Sequence, residues 1–228
     1  MVTTQPMVTP IALAHIALLD DHPMFRQGLR YILEPLPFVG SITEMAEAGA
    51  LMDLCRQQVP DVVLLDLQMP GMDGPEVAQL LLTEFPELKI IVLSMFSADK
   101  YITQMMKLGA RSYLPKDATQ EELVQAIQEV LSTGYHFTPR MSRALMRGVQ
   151  KPSRQPITKL PELLQFTPRE QEVLRLICEG RRASEIADQL FLSRRTVEGH
   201  WQRLLEKTGS PSVAALVVFA AKHGLLDA

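Results

Sequence analysis

The chain has 228 residues, 46% of them apolar and 21% charged, and its formal net charge at pH 7 is −3. This length suits one large domain or two ordinary ones, and the composition excludes the disordered and fibrous classes of protein. The uncharged apolar runs near residues 11–19 and 214–221 are too short to span a bilayer, so no membrane segment is expected. Residues 1–10 contain no Lys or Arg and no apolar core, unlike a signal peptide, and we expect a flexible N-terminal tail over residues 1–14.

Charge is distributed unevenly along the chain. Residues 1–138 contain 8 Lys and Arg against 17 Asp and Glu, whereas residues 139–228 contain 15 against 9. An acidic half followed by a basic half indicates two domains, of which the second is a candidate for binding a polyanion. The excess positive charge lies in residues 139–161, however, because residues 162–228 hold 9 basic and 9 acidic side chains. Affinity for a polyanion would then depend on local clustering of charge or on dimerisation.

Short apolar runs alternate with amphipathic stretches through residues 15–138. Strands are predicted at Ile16–Leu19, Val62–Asp66 and Ile90–Ser94, and from weaker patterns at Ile42–Ala46 and Ser112–Leu114. Helices are predicted at Pro23–Leu33, Pro75–Glu84, Asp99–Leu108 and Gln120–Thr133. Because the clearest strands are apolar throughout, they are typical of a parallel sheet covered by helices on both faces. The pattern predicts a five-stranded, doubly wound α/β domain.

The rest of the chain has a helical pattern. Residues 139–163 are rich in Pro, Lys and Arg and are predicted to form a linker, in which Ser142–Val149 could be a short helix. Four short helices are predicted beyond it, at Pro168–Cys178, Ser184–Leu190, Arg194–Lys207 and Ser212–His223. Since no strand pattern occurs there, we expect an all-α domain over residues 164–228.

Polar side chains follow the predicted strands at the points where the strands end. Parallel strands bring their carboxyl ends to one edge of a sheet, where ligands bind. The residues at this edge are Asp20, Asp21, Asp66, Ser94 and Lys116. A single strand-end Asp is commonly a turn or cap residue, but five polar residues at successive strand ends favour a functional site. Three carboxylates repel one another, and Mg²⁺ together with the Lys116 ammonium would offset that repulsion.

Four segments of the first half resemble the receiver domain of bacterial response regulators, which has a flavodoxin-like fold. They are LLDDHPMFRQGL, DVVLLDLQMPGMDG, IIVLSM and KLGARSYLPKDA. The resemblance implies that Asp66 accepts a phosphoryl group from a sensor histidine kinase. It also implies that Asp20, Asp21, Asp66 and the backbone carbonyl of Gln68 bind Mg²⁺.

The same resemblance implies roles for three residues of the last two strands. Ser94 and Lys116 would contact the phosphoryl oxygens, and Tyr113 matches the aromatic switch residue of the family. On phosphorylation the Ser94 hydroxyl would move inward and the Tyr113 ring would follow it, biasing a two-state element. Half-buried packing on a strand is the alternative explanation of Tyr113. Phe96 would flank the phosphoryl group and slow its hydrolysis.

The second half has the pattern of a helix-turn-helix. Ser193 is a cap residue before the third predicted helix, in which Val197, Trp201, Leu204 and Leu205 form an apolar stripe. Periodicity alone is equally compatible with a small helical bundle. The segments TPREQEVLRLICEG, SEIADQL and LSRRTVEGHWQRLLEKTG, however, resemble the LuxR-type effector domain of the NarL/FixJ subfamily. This resemblance implies that the third helix lies in the major groove of double-stranded DNA.

The resemblance also implies which residues contact DNA. By position, Glu198, Gly199 and Gln202 would face base edges. The residues implied at phosphates are Arg182, Arg194, Arg195, Thr196 and Arg203. The last helix is apolar nearly all round, and in the resembling family it pairs two effector domains. A homodimer on phosphorylation is therefore expected, although packing within the core is the alternative for this helix.

Taken together, the sequence predicts a cytoplasmic two-component response regulator that binds DNA and controls transcription. The predicted parts are a tail at 1–14, a receiver at 15–138, a linker at 139–163 and a helix-turn-helix domain at 164–228. One alternative keeps the DNA binding but makes the receiver a protein-interaction module that needs no phosphate. A second alternative is a phosphatase with an Asp nucleophile, which would require another Asp at the position of Gln68. We therefore expect a regulator and not an enzyme.

Overall fold

The computed structural model describes residues 13–69, 74–96, 98–149 and 166–225, and for residues 148 and 149 only the backbone. Most of the predicted tail, residues 1–12, lies outside the described residues. So does the second part of the predicted linker, residues 150–163.

Five parallel strands form one sheet in the order β2-β1-β3-β4-β5. The strands are β1 (Ala14–Leu19), β2 (Val39–Met45), β3 (Val62–Asp66), β4 (Ile90–Ser94) and β5 (Ser112–Pro115). Every residue of β3 and β4 is buried, because both strands lie between other strands and helices cover both faces of the sheet. This confirms the predicted doubly wound parallel architecture.

Five helices cover the sheet, two on one face and three on the other. They are α1 (Pro23–Leu33), α2 (Ala48–Gln57), α3 (Gly74–Glu84), α4 (Asp99–Leu108) and α5 (Gln120–Thr133). One apolar core lies under α1 and α5, and a second lies under α2, α3 and α4. The sequence pattern did not predict α2. That helix buries only Leu51 and Cys55, and Glu47 before it makes no side-chain cap bond, so its signal is weak.

The predicted linker begins with a helix that is part of the core. This helix, α6 (Pro139–Val149), starts before the short helix suggested by the sequence. Met141, Ala144 and Leu145 of α6 are buried, and α6 packs against α4. The Thr103 hydroxyl of α4 donates to the carbonyl of Ala144 at 3.1 Å. The first part of residues 139–163 is therefore a packed element and not a spacer.

The four predicted helices of the second half are present, with bounds that differ by at most one residue. They are α7 (Pro168–Cys178), α8 (Ala183–Leu190), α9 (Arg194–Thr208) and α10 (Val213–Lys222). A capping box of Thr167 and Glu170 begins α7, and the Ser193 hydroxyl caps α9. Within the residues that the structure describes, no single helix has the length and hydropathy to cross a membrane. Helices α9 and α10 reach that length and hydropathy only when they are counted together, and they are bent by 60° relative to each other.

The helical domain packs on the receiver through α6. The Ser142 hydroxyl of α6 donates to the carbonyl of Cys178 at the end of α7. Gly180 follows with φ +77°, and a Cβ at that position would lie 2.4 Å from the backbone of Pro139, so the segment after α7 and the start of α6 approach closely there. Helix α10 packs against α6 and α4 as well as α7 and α9. The second apolar face of α10, which the sequence suggested as a dimer contact, is therefore covered within the same chain.

Candidate functional site

The register of the sheet brings the strand-end residues together. The last residue of β1 is paired with Leu65 of β3, which places Asp20 beside Asp66. On the other side of β3, Ser94 ends β4 and is paired with the last residue of β5, which Lys116 follows. All of these side chains reach the carboxyl edge of the sheet, where the topology predicts a ligand site.

Lys116 lies between two buried carboxylates. Its Nζ atom is 2.7 Å from Oδ2 of Asp20 and 2.7 Å from Oδ2 of Asp66, and the three side chains are at most 8% exposed. Burial raises the pKa of Asp66, and the hydrogen bonds from Lys116 and from the Gln68 N–H only partly oppose it. Burial also acts to lower the pKa of Lys116, but the bonds to Asp20 and Asp66 outweigh it and the pKa is raised. The ammonium is therefore charged at neutral pH.

Four side chains in this pocket could share one metal ion. They are Asp20, Asp21, His22 and Asp66, whose ligand atoms all lie within 4.8 Å of one another. Three carboxylates supply the hard oxygen ligands that Mg²⁺ prefers, so the donor set fits this ion. His22 was missed by sequence reasoning; its only signal is its position directly after the two acids, and its Nδ1 lies 2.7 Å from Oδ1 of Asp21. The Gln68 N–H donates to Oδ1 of Asp66 at 3.1 Å, while the role of its carbonyl stays a prediction.

The two predicted switch residues are linked through the loop after β4. The Phe96 N–H donates to the Ser94 hydroxyl at 3.0 Å, and the Tyr113 hydroxyl donates to the carbonyl of Phe96 at 2.7 Å. The Phe96 ring stacks on Tyr101 with a centroid distance of 4.6 Å. Tyr113 is only 5% exposed. Its ring is therefore already buried, and a movement of this ring would change its partners more than its burial.

Helix α9 carries seven of the eight residues predicted to contact DNA, and Arg182 lies just before α8. The seven are Arg194, Arg195, Thr196, Glu198, Gly199, Gln202 and Arg203. Val197, Trp201 and Leu204 of α9 are buried, so the residues predicted to contact DNA lie on the other faces of this helix. The tight turn between α8 and α9 and the exposed second helix have the geometry of a helix-turn-helix.

Comparison with known families identifies both halves of the chain. Residues 16–128 match the response regulator receiver domain, and residues 164–220 match the luxR family of bacterial regulatory proteins. The chain belongs to the NarL/FixJ response regulators. This confirms the family predicted from the sequence. The protein is a transcriptional regulator that joins a receiver to a LuxR-type DNA-binding domain.

Relatives of this response regulator match it over nearly its whole length. Transcriptional regulatory protein YxjL of Bacillus subtilis is 33% identical over 213 residues, which are 93% of this chain and 97% of the relative. Response regulator GacA of Pseudomonas aeruginosa is 32% identical over 219 residues, 93% of this chain and 98% of the relative. A solved structure of RcsB from Salmonella enterica serovar Typhimurium, bound to promoter rprA with the phosphomimetic BeF3−, is 27% identical. It covers 92% of this chain and 98% of that chain, with a TM-score of 0.53.

In this response regulator, two of the predicted DNA-contacting arginines bind the receiver. Arg194 donates from Nη2 to the Ser132 hydroxyl at 2.8 Å, and Arg182 donates from Nη1 to Oε1 of Gln125 at 2.7 Å. Both partners lie on α5, with Glu129 between them in sequence. Burial raises the pKa of Glu129, and the charges of both arginines act to lower it. Helix α5 therefore supplies polar and negative partners to two of the arginines that were predicted to contact DNA phosphates.

Proposed function

We propose that Asp66 accepts a phosphoryl group from a sensor histidine kinase and that phosphorylation controls DNA binding by α9. The observation that supports this most directly is the Lys116 ammonium, which lies 2.7 Å from both Asp20 and Asp66. A turn or cap residue has no need of a buried cation, whereas a carboxylate nucleophile beside an ammonium is suited to phosphoryl transfer. Asp66 is also the last residue of a fully buried strand, which holds it rigidly.

The transfer proceeds by in-line attack of an Asp66 carboxylate oxygen on the phosphorus of the kinase phosphohistidine. The P–N bond breaks as the acyl phosphate forms, and the electron pair leaves with the imidazole. Lys116 and Ser94 then contact the phosphoryl oxygens and stabilise their charge. Mg²⁺ would neutralise further negative charge when bound. Its proposed ligands are Asp20, Asp21, Asp66 and the backbone carbonyl of Gln68.

The response begins at Ser94. When its hydroxyl turns to a phosphoryl oxygen, it gives up the hydrogen bond from the Phe96 N–H, and Phe96 is also the partner of Tyr113. The loop that holds Phe96 leads into α4, against which α6 packs. A change in this loop therefore reaches the helix on which the effector domain rests. Such a discrete change of partners is the kind of two-state element through which receivers act on other domains.

The effector domain has a closed arrangement in this structure, defined by the contacts of Arg182 and Arg194 with α5 and by the cover of α6 on α10. We propose that phosphorylation breaks the contacts of the two arginines with α5 and separates α10 from α6. Free α9 would enter the major groove, with Glu198, Gly199 and Gln202 at base edges and the nearby basic residues at phosphates. Free α10 would pair two effector domains. Because a single effector domain has no net positive charge, its affinity for DNA would depend on this dimerisation. RcsB was solved bound to a promoter in the presence of a phosphomimetic, which is consistent with DNA binding by the activated form.

The proposal includes the setting in which the protein works. Its partners are a sensor histidine kinase and double-stranded DNA, and the active form is a homodimer. Cys55 and Cys178 are buried free thiols, which is consistent with a reducing cytoplasm. The function is regulatory and not enzymatic. We retain the predicted boundaries of tail, receiver, linker and effector domain as working boundaries for experiments.

The test is phosphorylation with a small phosphodonor such as acetyl phosphate in the presence of Mg²⁺. Wild type is expected to incorporate phosphate, to dimerise and to bind duplex DNA more tightly, whereas Asp66→Asn is expected to do none of these. Asp117→Asn is a matched control, because Asp117 is an exposed acid next to Lys116 and should behave as wild type. Full phosphate incorporation without any change in dimerisation or DNA affinity would instead support the interaction-module alternative.

A further inference from the structure

A cavity of about 500 Å³ lies between the receiver and the effector domain. The end of α3 with the segment after it and the end of α4 form its receiver side, and α10 with the two residues before it forms its effector side. Most of its wall is apolar and includes Leu82, Pro86, Met106, Leu108, Ala214 and Val218. Small-molecule sites typically enclose about 300–1,000 Å³. The cavity therefore has the size and the walls of a ligand site.

Three cationic side chains also line this cavity: Lys107, Arg111 and Lys222. No acidic side chain is among the lining residues in the described ranges, and none of the three cations has an ion-pair partner there. Lys107 and Lys222 are exposed at the rim of the cavity, whereas Arg111 is half-buried in its wall. The lining favours a ligand with one anionic end and an apolar body.

Arg111 is the best placed of the three cations. Its guanidinium lies over the Tyr135 ring, 4.7 Å from the centroid, and donates to the Tyr135 hydroxyl. That hydroxyl in turn donates to the carbonyl of Pro211 at 3.2 Å, just before α10. The Nε atom of Arg111 is buried and has no hydrogen-bond partner among the described residues. The guanidinium is thus held in position while one buried donor remains to be satisfied.

The start of α10 adds to the positive potential of the cavity. Ser212, the N-cap residue of α10, lines the cavity and accepts a hydrogen bond from the Ala215 N–H at 3.1 Å. Helix N-termini carry a partial positive charge and stabilise nearby anions. This contribution agrees in sign with that of the three side chains, whereas the carboxyl end of α4, which also lines the cavity, has the opposite sign.

We propose that this cavity binds an amphipathic monocarboxylate, such as a medium-chain fatty acid. The alkyl chain would lie along Leu82, Met106 and Val218, and the carboxylate would accept hydrogen bonds from Arg111. A compact phosphate ester would leave the apolar wall unused, and a neutral hydrocarbon would leave the cations uncompensated. Binding is measured on the unphosphorylated protein, so this proposal can fail whether or not Asp66 accepts a phosphoryl group.

Occupancy of the cavity has a consequence for regulation. The ligand contacts both the receiver and α10, so it binds the closed arrangement and loses half of its site when the domains separate. A ligand that prefers one of two arrangements shifts the equilibrium toward it. The carboxylate would therefore weaken DNA binding by the unphosphorylated protein and raise its melting temperature.

The experiment is calorimetric titration of the full-length, unphosphorylated protein with decanoate, 1-decanol and decyltrimethylammonium. Decanoate is expected to bind at one site per chain, and the neutral and cationic probes are expected to bind more weakly. Lys222→Gln should weaken decanoate binding by about two- to fivefold, the range for an exposed ion pair. Lys100→Gln removes an exposed lysine of α4 that does not line the cavity, and it should bind decanoate as wild type does.

Ala215→Phe fills the cavity from the effector side and should abolish binding. Its melting temperature shows whether the protein remains folded, and Arg111→Gln gives an independent loss of affinity without added volume. The proposal is overturned if decanoate does not bind, if 1-decanol binds as tightly as decanoate, or if neither Arg111→Gln nor a folded Ala215→Phe weakens binding.

Discussion

The hydrogen bonds between α5 and the two arginines of the helix-turn-helix lead to a quantitative prediction. Replacing Ser132 and Gln125 by Ala removes the receiver partners of Arg194 and Arg182 without changing any predicted DNA contact. A partly exposed hydrogen bond to a charged group contributes about 1 kcal/mol. Loss of both contacts then shifts the closed-to-open equilibrium by about 2 kcal/mol, which is about thirtyfold.

The assay is fluorescence anisotropy of a labelled DNA duplex with the unphosphorylated protein. Apparent affinity scales with the fraction of binding-competent protein, so the single variants should bind up to about fivefold more tightly and the double variant up to about thirtyfold. Phosphorylated wild type should gain little from the same substitutions, because its effector domain is already released. The salt concentration must be held constant, since phosphate contacts make affinity strongly salt-dependent.

Gln128→Ala is the matched control for this prediction. Gln128 is exposed on the same helix and, in the described part of the chain, makes no hydrogen bond to α8 or α9. If the double variant binds DNA no more tightly than Gln128→Ala, the contacts with α5 do not restrain the effector domain. An equal gain in the phosphorylated and unphosphorylated proteins would also refute the reasoning, because it would show an effect on DNA contact itself.

Three further predictions concern stability and the reading helix. Burial lowers the pKa of His136 to about 4, so the unfolded chain binds a proton that the folded protein does not, and stability falls as pH decreases through about 6.5 toward 4. Measured by chemical denaturation, the free energy of unfolding of wild type should fall by about 2 kcal/mol more than that of His136→Gln between about pH 8 and pH 5. Gly199→Ala should raise the free energy of unfolding by about 1 kcal/mol, since a Cβ there meets only the end of Arg203 at 3.6 Å. It should also weaken DNA binding in the anisotropy assay if the backbone of Gly199 approaches a base; unchanged affinity would remove Gly199 from the reading face. Phe191 is 96% exposed and has φ +54°. Phe191→Asn should raise the melting temperature, because Asn adopts a left-handed backbone conformation more readily than Phe and no buried surface is lost.

Much of the receiver was predictable from local sequence. The fully apolar strands β3 and β4 and the polar residues at their ends identify both the sheet and its functional edge, because a parallel sheet brings all its carboxyl ends together. The effector helices were predictable in the same way, because their cap residues and apolar stripes lie within a few positions of one another. The position of Asp20 beside Asp66 depends in addition on β1 and β3 being neighbours in the sheet. Helix α2 was missed because it buries only two residues, too few for a clear period.

What the sequence by itself determined is therefore the two folds and the set of polar residues at the carboxyl edge of the sheet, since both depend on periods and on strand ends. Only the tertiary structure decided how the two domains meet. The contact of Arg194 with Ser132 joins residues 62 positions apart, and the cover of α6 on α10 turned an expected dimer face into an internal contact. Hydrophobic burial is non-directional, so an apolar face indicates that it will be covered but not which surface covers it.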